Sequence, residues 1–197
     1  GVYAPFSMIS TGNTFMWIGG GTNESAAIWE LAGNSARKVS TTAIDSLLQD
    51  FSEAEINQAF AYSYSKNGAY FVGFSLPTRT LEYNVVTGRW NERKSQVIGE
   101  MGNKLTVRFR VNSITTAYNR VLCGDSQDGR IGFISQDIYS EYGNDIIRVM
   151  ATQPLADLGN AVTITQLEAT MEAGVGDLVT IDPQIRMTTA NDGKSFT

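Results

Sequence analysis

A chain of 197 residues with 42% hydrophobic content and a formal net charge of −5 is large enough to bury a core. It is also too acidic to coat nucleic acid, since affinity for the duplex rests on Lys and Arg neutralising phosphates; an acidic wall instead lets DNA pass without sticking. Histidine is absent, which removes the commonest general base and the Ser-His and Cys-His nucleophile pairs and leaves carboxylate chemistry as the main enzymatic route.

Cys123 is the sole cysteine, so this chain alone forms neither an intrachain disulfide nor a Cys-based zinc cage, and assembly in the cytoplasm fits. No apolar run is long enough to span a bilayer and no signal-peptide pattern opens the sequence. The missing initiator Met and the abrupt end at Thr197 suggest a segment of a longer protein.

From the start of the chain, three stretches share a rhythm of short strand, polar turn and short strand. The first runs from Phe15–Ile18 through Gly19-Gly20-Gly21 to Ala27–Leu31. Next, residues 42–60 predict a helical insertion. Thr41 or Thr42 caps it, Ile44, Leu47, Leu48 and Phe51 have helical spacing, Ser52-x-x-Glu55 reads as a capping box for a second turn of helix, and Ile56, Ala59 and Phe60 extend the apolar face. The second strand unit runs from Ala69–Val72 through Pro77-Thr78 to Thr80–Tyr83, then through Val86-Thr87-Gly88 to Arg89-Trp90.

Lys104 to Val111 alternates, with Leu105, Val107, Phe109 and Val111 on one face and Lys104, Thr106, Arg108 and Arg110 on the other, as a half-buried strand does. The third unit runs from Arg120–Leu122 through Asp125–Gly129 to Ile131–Ile134. The units recur at roughly 50-residue intervals, the spacing of propeller blades that bury their faces on one another. The stretch YNVVTGRW is kelch-like, with Gly88 at the turn and Trp90 anchoring the next strand.

After a loop at Tyr139–Gly143, Ile146–Met150 predicts another strand and 154–160 a linker. Val162 and Ile164 share one parity and Leu167, Ala169 and Met171 the other, so a bulge near Gln166 is expected; Ile185 and Met187 then lead into a closing hairpin. That hairpin, Thr189-x-Asn191-x-Gly193-x-Ser195-Phe196, is similar to an Asp-box, whose small polar residues bond the turn's own backbone. The fold expected is mainly β: 1–145 a partial β-propeller with kelch-like blades and the helical insertion, 146–197 the start of a β-sandwich.

Several groups of residues invite a chemical reading. WIGGGT, residues 17–22, lacks the Gly-Lys-Ser/Thr ending and following helix of a phosphate loop and reads as a hairpin turn. Asp125-x-x-Asp128-Gly129 offers oxygens for Ca²⁺ but lacks the ligand count and the downstream bidentate Glu. Glu53 with Glu55, or Glu82 with Glu92, are the available carboxylate pairs for glycoside hydrolysis, and both read as solvated surface charge. Lys104, Arg108 and Arg110 form a basic sheet face that reads as solvated; as a binding face it suits an acidic neighbouring subunit better than DNA. No catalytic, cofactor or metal site is expected.

The order of FMWIGGG, VSTTAIDSLLQDFSEAEINQAFAY, TRTLEYNVVTGRWNE, RVLCGDSQDGRIGFIS and ATMEAGVGDLVTIDPQIRMTTANDGKSF resembles the packaged-DNA stabilisation proteins of short-tailed enteric phages, over nearly the whole chain. The last stretch also looks like a β-sandwich segment of tail-tube and nozzle proteins. The resemblance implies a non-enzymatic tail component of the virion. The full-length protein is then a homohexameric ring below the portal and its adaptor ring, with a tail needle or tailspike beneath, that closes the channel on packaged DNA. It implies no cofactor, no small-molecule substrate and no membrane partner. The rival reading is a glycan-binding or glycan-cleaving tail propeller, for which the Asp-box and Tyr62, Tyr64 and Tyr83 speak.

Overall fold

Short runs of β-branched and aromatic residues, separated by turns rich in Gly and Asn, fold back on themselves strand by strand. The computed structural model describes residues 1–12, 14–21, 23–152, 155, 162–168, 170 and 185–190, and its contacts divide the chain into two units, Gly1–Ser135 and Gln136–Thr197. In the first unit the strands form three antiparallel meanders in succession.

The first sheet runs β1 (Ile9–Ser10), β2 (Phe15–Gly19), β3 (Ala27–Ala32) and β4 (Ser35–Lys38) in chain order. The second runs β5 (Phe60–Lys66), β6 (Ala69–Ser75), β7 (Thr80–Asn84), β8 (Arg89–Ile98) and β9 (Lys104–Arg108). Strand β8 changes partner midway: Arg89 to Arg93 pair with β7, and Lys94 to Ile98 pair with β9. The third sheet is β10 (Val111–Ala117), β11 (Arg120–Asp125) and β12 (Ile131–Phe133). All three strand-turn-strand units expected from the sequence are present.

Two-residue turns between strands need left-handed backbone, which Asn and Gly adopt at least cost. Asn67 and Gly68 join β5 to β6 at φ 48° and 76°, and Tyr118 and Asn119 join β10 to β11 at φ 53° and 57°.

Between the first two sheets the chain forms α1 (Thr42–Gln49), whose first turn Thr41 caps, and α2 (Glu53–Asn57), where Ser52 and Glu55 make the expected reciprocal capping box. The insertion is two short helices, the second opened at the expected capping box, and it ends at Asn57 instead of reaching residue 60. Asp50, Phe51 and Ser52 break it, and Phe60 already pairs with Ser75 in β5.

Alternation gives each sheet two faces, and the sheets stack through them. Met16, Ile18 and Ile28 of the first sheet meet Val72, Phe74 and Leu81 of the second, with Ile44, Leu48 and Ile56 of the helices closing the cluster. The opposite face of the second sheet carries Tyr62 and Tyr64, which pack with Phe109, Val111 and Val121 toward the third sheet. Each fully buried large side chain is worth roughly 1.5–3 kcal/mol of transfer free energy. The second sheet is thus covered on both sides, as a propeller blade is, although the three sheets do not close on themselves among the described residues.

Three expectations need correction. The strand expected from Lys104 to Val111 stops at Arg108 and resumes as β10, because Phe109 and Arg110 turn inward and are buried. The loop expected at Tyr139–Gly143 is a small hairpin, β13 (Ser140–Glu141) and β14 (Asn144–Asp145), turning on Tyr142 and Gly143 at positive φ. Residues 146–150, 162–168 and 185–190 are in no strand; their apolar side chains, Val149 and Ile164 among them, are exposed and find no partner strand among the described residues. The closing hairpin from Asn191 onward, most of the linker at 154–160, and Ala169 and Met171 lie outside the described residues.

Candidate functional site

The seam between the second and third sheets concentrates the polar chemistry of the chain. Tyr62, Gly73 and Glu82 are successive cross-strand partners on β5, β6 and β7. A side chain at position 73 would block that row: a Cβ there collides with Cζ and Oη of Tyr62, whose ring lies across the strand. Glycine therefore lets the phenol reach toward Glu82.

Glu82 is 2% exposed. A carboxylate so buried needs partners to offset lost hydration, and it has two: the Tyr64 hydroxyl donates to its Oε2 at 3.0 Å and Arg93 Nη1 donates to its Oε1 at 3.1 Å. The Arg93 guanidinium also lies over the Phe109 ring, 4.4 Å from its centroid. Burial works against the Arg93 charge, but Glu82 and the two tyrosines outweigh it and raise its pKa. Burial first, and the Glu82 charge second, push the Tyr62 and Tyr64 hydroxyls up. The Tyr62 hydroxyl is buried and makes no hydrogen bond.

A second node sits where β9 passes into β10. The inward turn at Phe109 and Arg110 is pinned by the Arg110 N–H donating to Ser95 Oγ at 3.1 Å. The Arg110 guanidinium is bidentate to Asp125, with Nε to Oδ1 at 3.0 Å and Nη2 to Oδ2, and both side chains are almost fully buried. Asp128 pairs with Arg130 at 2.6 Å, and hydrogen bonding from Arg130 holds the Asp128 carboxyl at about 2. Ser126 N donates to Arg110 O at 2.8 Å, which ties the β11–β12 turn to the same residue.

These positions revise several readings. Glu82 is no surface charge, and it cannot act with Glu92: Glu92 pairs across the ladder with Leu81, so the two carboxyls leave opposite faces of the sheet. Glu92 instead pairs with Arg79 at 3.2 Å and Lys94 at 3.1 Å. Glu55 is occupied in its capping box with Ser52. Arg110 leaves the expected basic face for the interior, and Arg108 donates to Ser75 Oγ at 2.9 Å. Tyr62 and Tyr64 are 3% and 5% exposed, so neither is a platform for a sugar ring. At Asp125 and Asp128 the oxygens face guanidinium groups, and no group of three His, Cys, Asp or Glu side chains suited to a metal occurs among the described residues. Gly19-Gly20-Gly21 leads from β2 into the β2–β3 turn, where Gly21 N donates to Glu24 Oε2 at 2.8 Å and β3 follows.

Sequence reasoning missed the Glu82–Arg93–Tyr64 cluster. Its one signal is the parity of Tyr62 and Tyr64 on β5, Glu82 on β7 and Arg93 on β8, which shows only once the strand pairing is known. An open groove of about 530 Å³ is walled by Phe6, Ile9, residues 60–63 of β5 and residues 112–114 of β10. It lies where β1, β5 and β10 come together.

A family model described as bacteriophage P22 Gp10, beta-propeller, matches residues 1–139. No curated protein matches the chain.

Proposed function

The chain belongs to the phage DNA-stabilisation family typified by bacteriophage P22 Gp10, and on that basis we propose that it is a non-enzymatic part of the tail that closes the portal channel behind packaged DNA. The observation that carries this reading is the reach of the family match, which spans the whole three-sheet unit. The build of that unit supports it. A plug under load has to keep its shape, and sheets stacked face to face through apolar clusters on both sides of the second sheet, with the Arg110 N–H pinned to Ser95, resist sliding.

In this reading the full-length protein is a homohexameric ring, since heterologous contacts that close by rotation are the simplest way to build a collar. The portal-bound adaptor ring sits above it and a tail needle or tailspike below, and DNA passes only through the channel. Further blades complete the propeller, and 146–197 contributes to a β-sandwich. The protein has no small-molecule substrate and no membrane partner, and its place in the virion is the tail.

The test is genome retention. Filled heads lacking this component are mixed with the full-length protein and the nuclease-resistant DNA is measured. Protection of the genome is expected. Equal leakage with and without the protein overturns the reading and moves host-glycan recognition to the front.

A further inference from the structure

The net charge of −5 is not spread over the chain. Gly1–Ser135 carries 12 Lys and Arg against 11 Asp and Glu, and Gln136–Thr197 carries three against nine, so the three-sheet unit is close to neutral. Within that unit the charges are sorted by side.

In an antiparallel meander, successive turns fall on alternate ends of the sheet. One end of the stack therefore carries the turns at 10–15, 32–35, 66–69, 84–89 and 117–120. At this end the Tyr70 hydroxyl donates to Ser10 O at 3.3 Å, and at the far ends of β5 and β10 their first residues line one groove, which sets the two strands side by side. The other end carries the turns at 19–27, 75–80, 98–104 and 125–131 and the helical insertion, 42–58.

The turns and helices of the insertion end hold eight carboxylates, Glu24, Asp45, Asp50, Glu53, Glu55, Glu100, Asp125 and Asp128, against three cations, Arg79, Lys104 and Arg130, with Lys38 and Arg110 reaching in from their strands to pair with Asp45 and Asp125. The opposite rim holds Lys66, Arg89 and Arg120 and no Asp or Glu. Lys66 and Arg89 make no ion pair among the described residues, while Arg120 lies over the Phe133 ring, 4.8 Å from its centroid. Asn34, Asn67, Asn84 and Asn119 lie in the turns of this rim, and Tyr118 stands out from it at 91% exposure.

We propose that this carboxylate-free rim, centred on Lys66, Arg89 and Arg120, binds the phosphate backbone of duplex DNA. The proposal rests on the DNA-stabilisation reading and corrects the inference drawn from total charge: an acidic chain can still present one DNA-facing side when its acids lie at the opposite end. Strands β5 and β8 are three strand spacings apart, roughly 14 Å, and stacked sheets pack about 10 Å apart. Three cations so spread reach different phosphates. Asn side chains, the Tyr118 hydroxyl and turn N–H groups add neutral donors, the kind that position a protein on DNA without reading its sequence. A protein partner would need a buried apolar centre, and the exposed apolar side chains of these turns, Phe15, Val86 and Tyr118, come singly, one to a turn, among Asn, Gly, Ser and Thr. Repetition of the rim around a ring multiplies the weak attraction of three contacts.

The experiment uses the full-length protein assembled on the adaptor-bound portal and a blunt duplex of about 30 base pairs, with affinity read across a salt series. Each phosphate contact steepens the log–log salt dependence by about 0.9. The triple variant K66Q/R89Q/R120Q is expected to bind DNA at least about tenfold more weakly at low salt, with a slope shallower by about 2.7, while still assembling on the portal. The triple variant R79Q/K104Q/R130Q, which neutralises the cations of the opposite end, is expected to leave the slope unchanged. An unchanged slope in the first variant overturns the proposal. So does loss of portal assembly with DNA affinity intact, which marks the rim as a protein-docking surface. If the slope falls as expected but the native protein does not retain the genome in filled heads, the DNA-binding rim stands and the plug reading fails.

Discussion

The second sheet is buried on both faces, and the two faces are made differently. Toward the first sheet it presents Val72, Phe74, Leu81 and Trp90; toward the third it presents Tyr62, Tyr64, Glu82 and Arg93. Apolar burial is strong but has no preferred direction, whereas a carboxylate held by a phenol and a guanidinium accepts only a narrow range of geometries. The Glu82 cluster joins β5, β7 and β8 within the second sheet, so it fixes that sheet's own strands and the face they offer Phe109. Cores made only of apolar contacts can slip, and a structural part of a virion has to avoid that.

The strongest test of this contrast lies in the apolar seam. Phe74→Ala removes a fully buried ring and is expected to lower stability by about 3–5 kcal/mol, read from urea unfolding. On the charged side, Glu82→Gln leaves Arg93 without its carboxylate. A cost of about 2 kcal/mol is expected, below that of a fully buried broken pair, because the Arg93 side chain keeps 35% of its surface exposed. If the charged seam sets geometry, this variant also loses the near-ultraviolet dichroism of Tyr62 and Tyr64, while Phe74→Ala at matched stability keeps it. Equal spectra for the two variants would dissolve the distinction between the seams.

Tyr62→Phe goes the other way. Its hydroxyl is buried and unbonded, so removing it is expected to raise stability by about 1 kcal/mol; a loss of similar size would show that the hydroxyl has a partner in solution. The smallest effect is invisible at neutral pH. Tyr62 and Tyr64 have hydroxyl pKa values raised above the ordinary value, by burial first and the Glu82 charge second. Above about pH 10 the unfolded chain loses those protons while the folded chain keeps them, so the unfolded state binds fewer protons and stability falls as pH rises. Urea midpoints should be independent of these groups up to about pH 10 and decline above it, and Tyr62→Phe should make the decline shallower. An alkaline slope that Tyr62→Phe leaves untouched would remove Tyr62 from the account.

The contrast between seams also separates what is legible in the sequence from what is not. The strand units at Phe15, Ala69 and Arg120, the capping box at Ser52 and Glu55, and the turns at Asn67 and Gly88 are local: a few adjacent residues contain the whole physical cause. Glu82 reads as solvated and Arg110 as part of a basic face when each is taken with its sequence neighbours, because burial of a charge depends on what another strand brings to it. For Glu82 that is Tyr64, 18 residues away, and Arg93; for Arg110 it is Asp125, 15 residues on.

Alternation, capping and turn conformation are set within a few residues, and for that reason the amino-acid order alone specifies the mainly β character, the three meanders, the position of the helical insertion and, through the succession of its segments, the family. Tertiary packing settles the rest: which face of each strand is covered, which charges are buried and paired, and the gathering of carboxylates at one end of the stack and of Lys66, Arg89 and Arg120 at the other. Those outcomes depend on cross-strand register and on the side of the sheet each turn falls, and both are fixed by residues far apart in the chain.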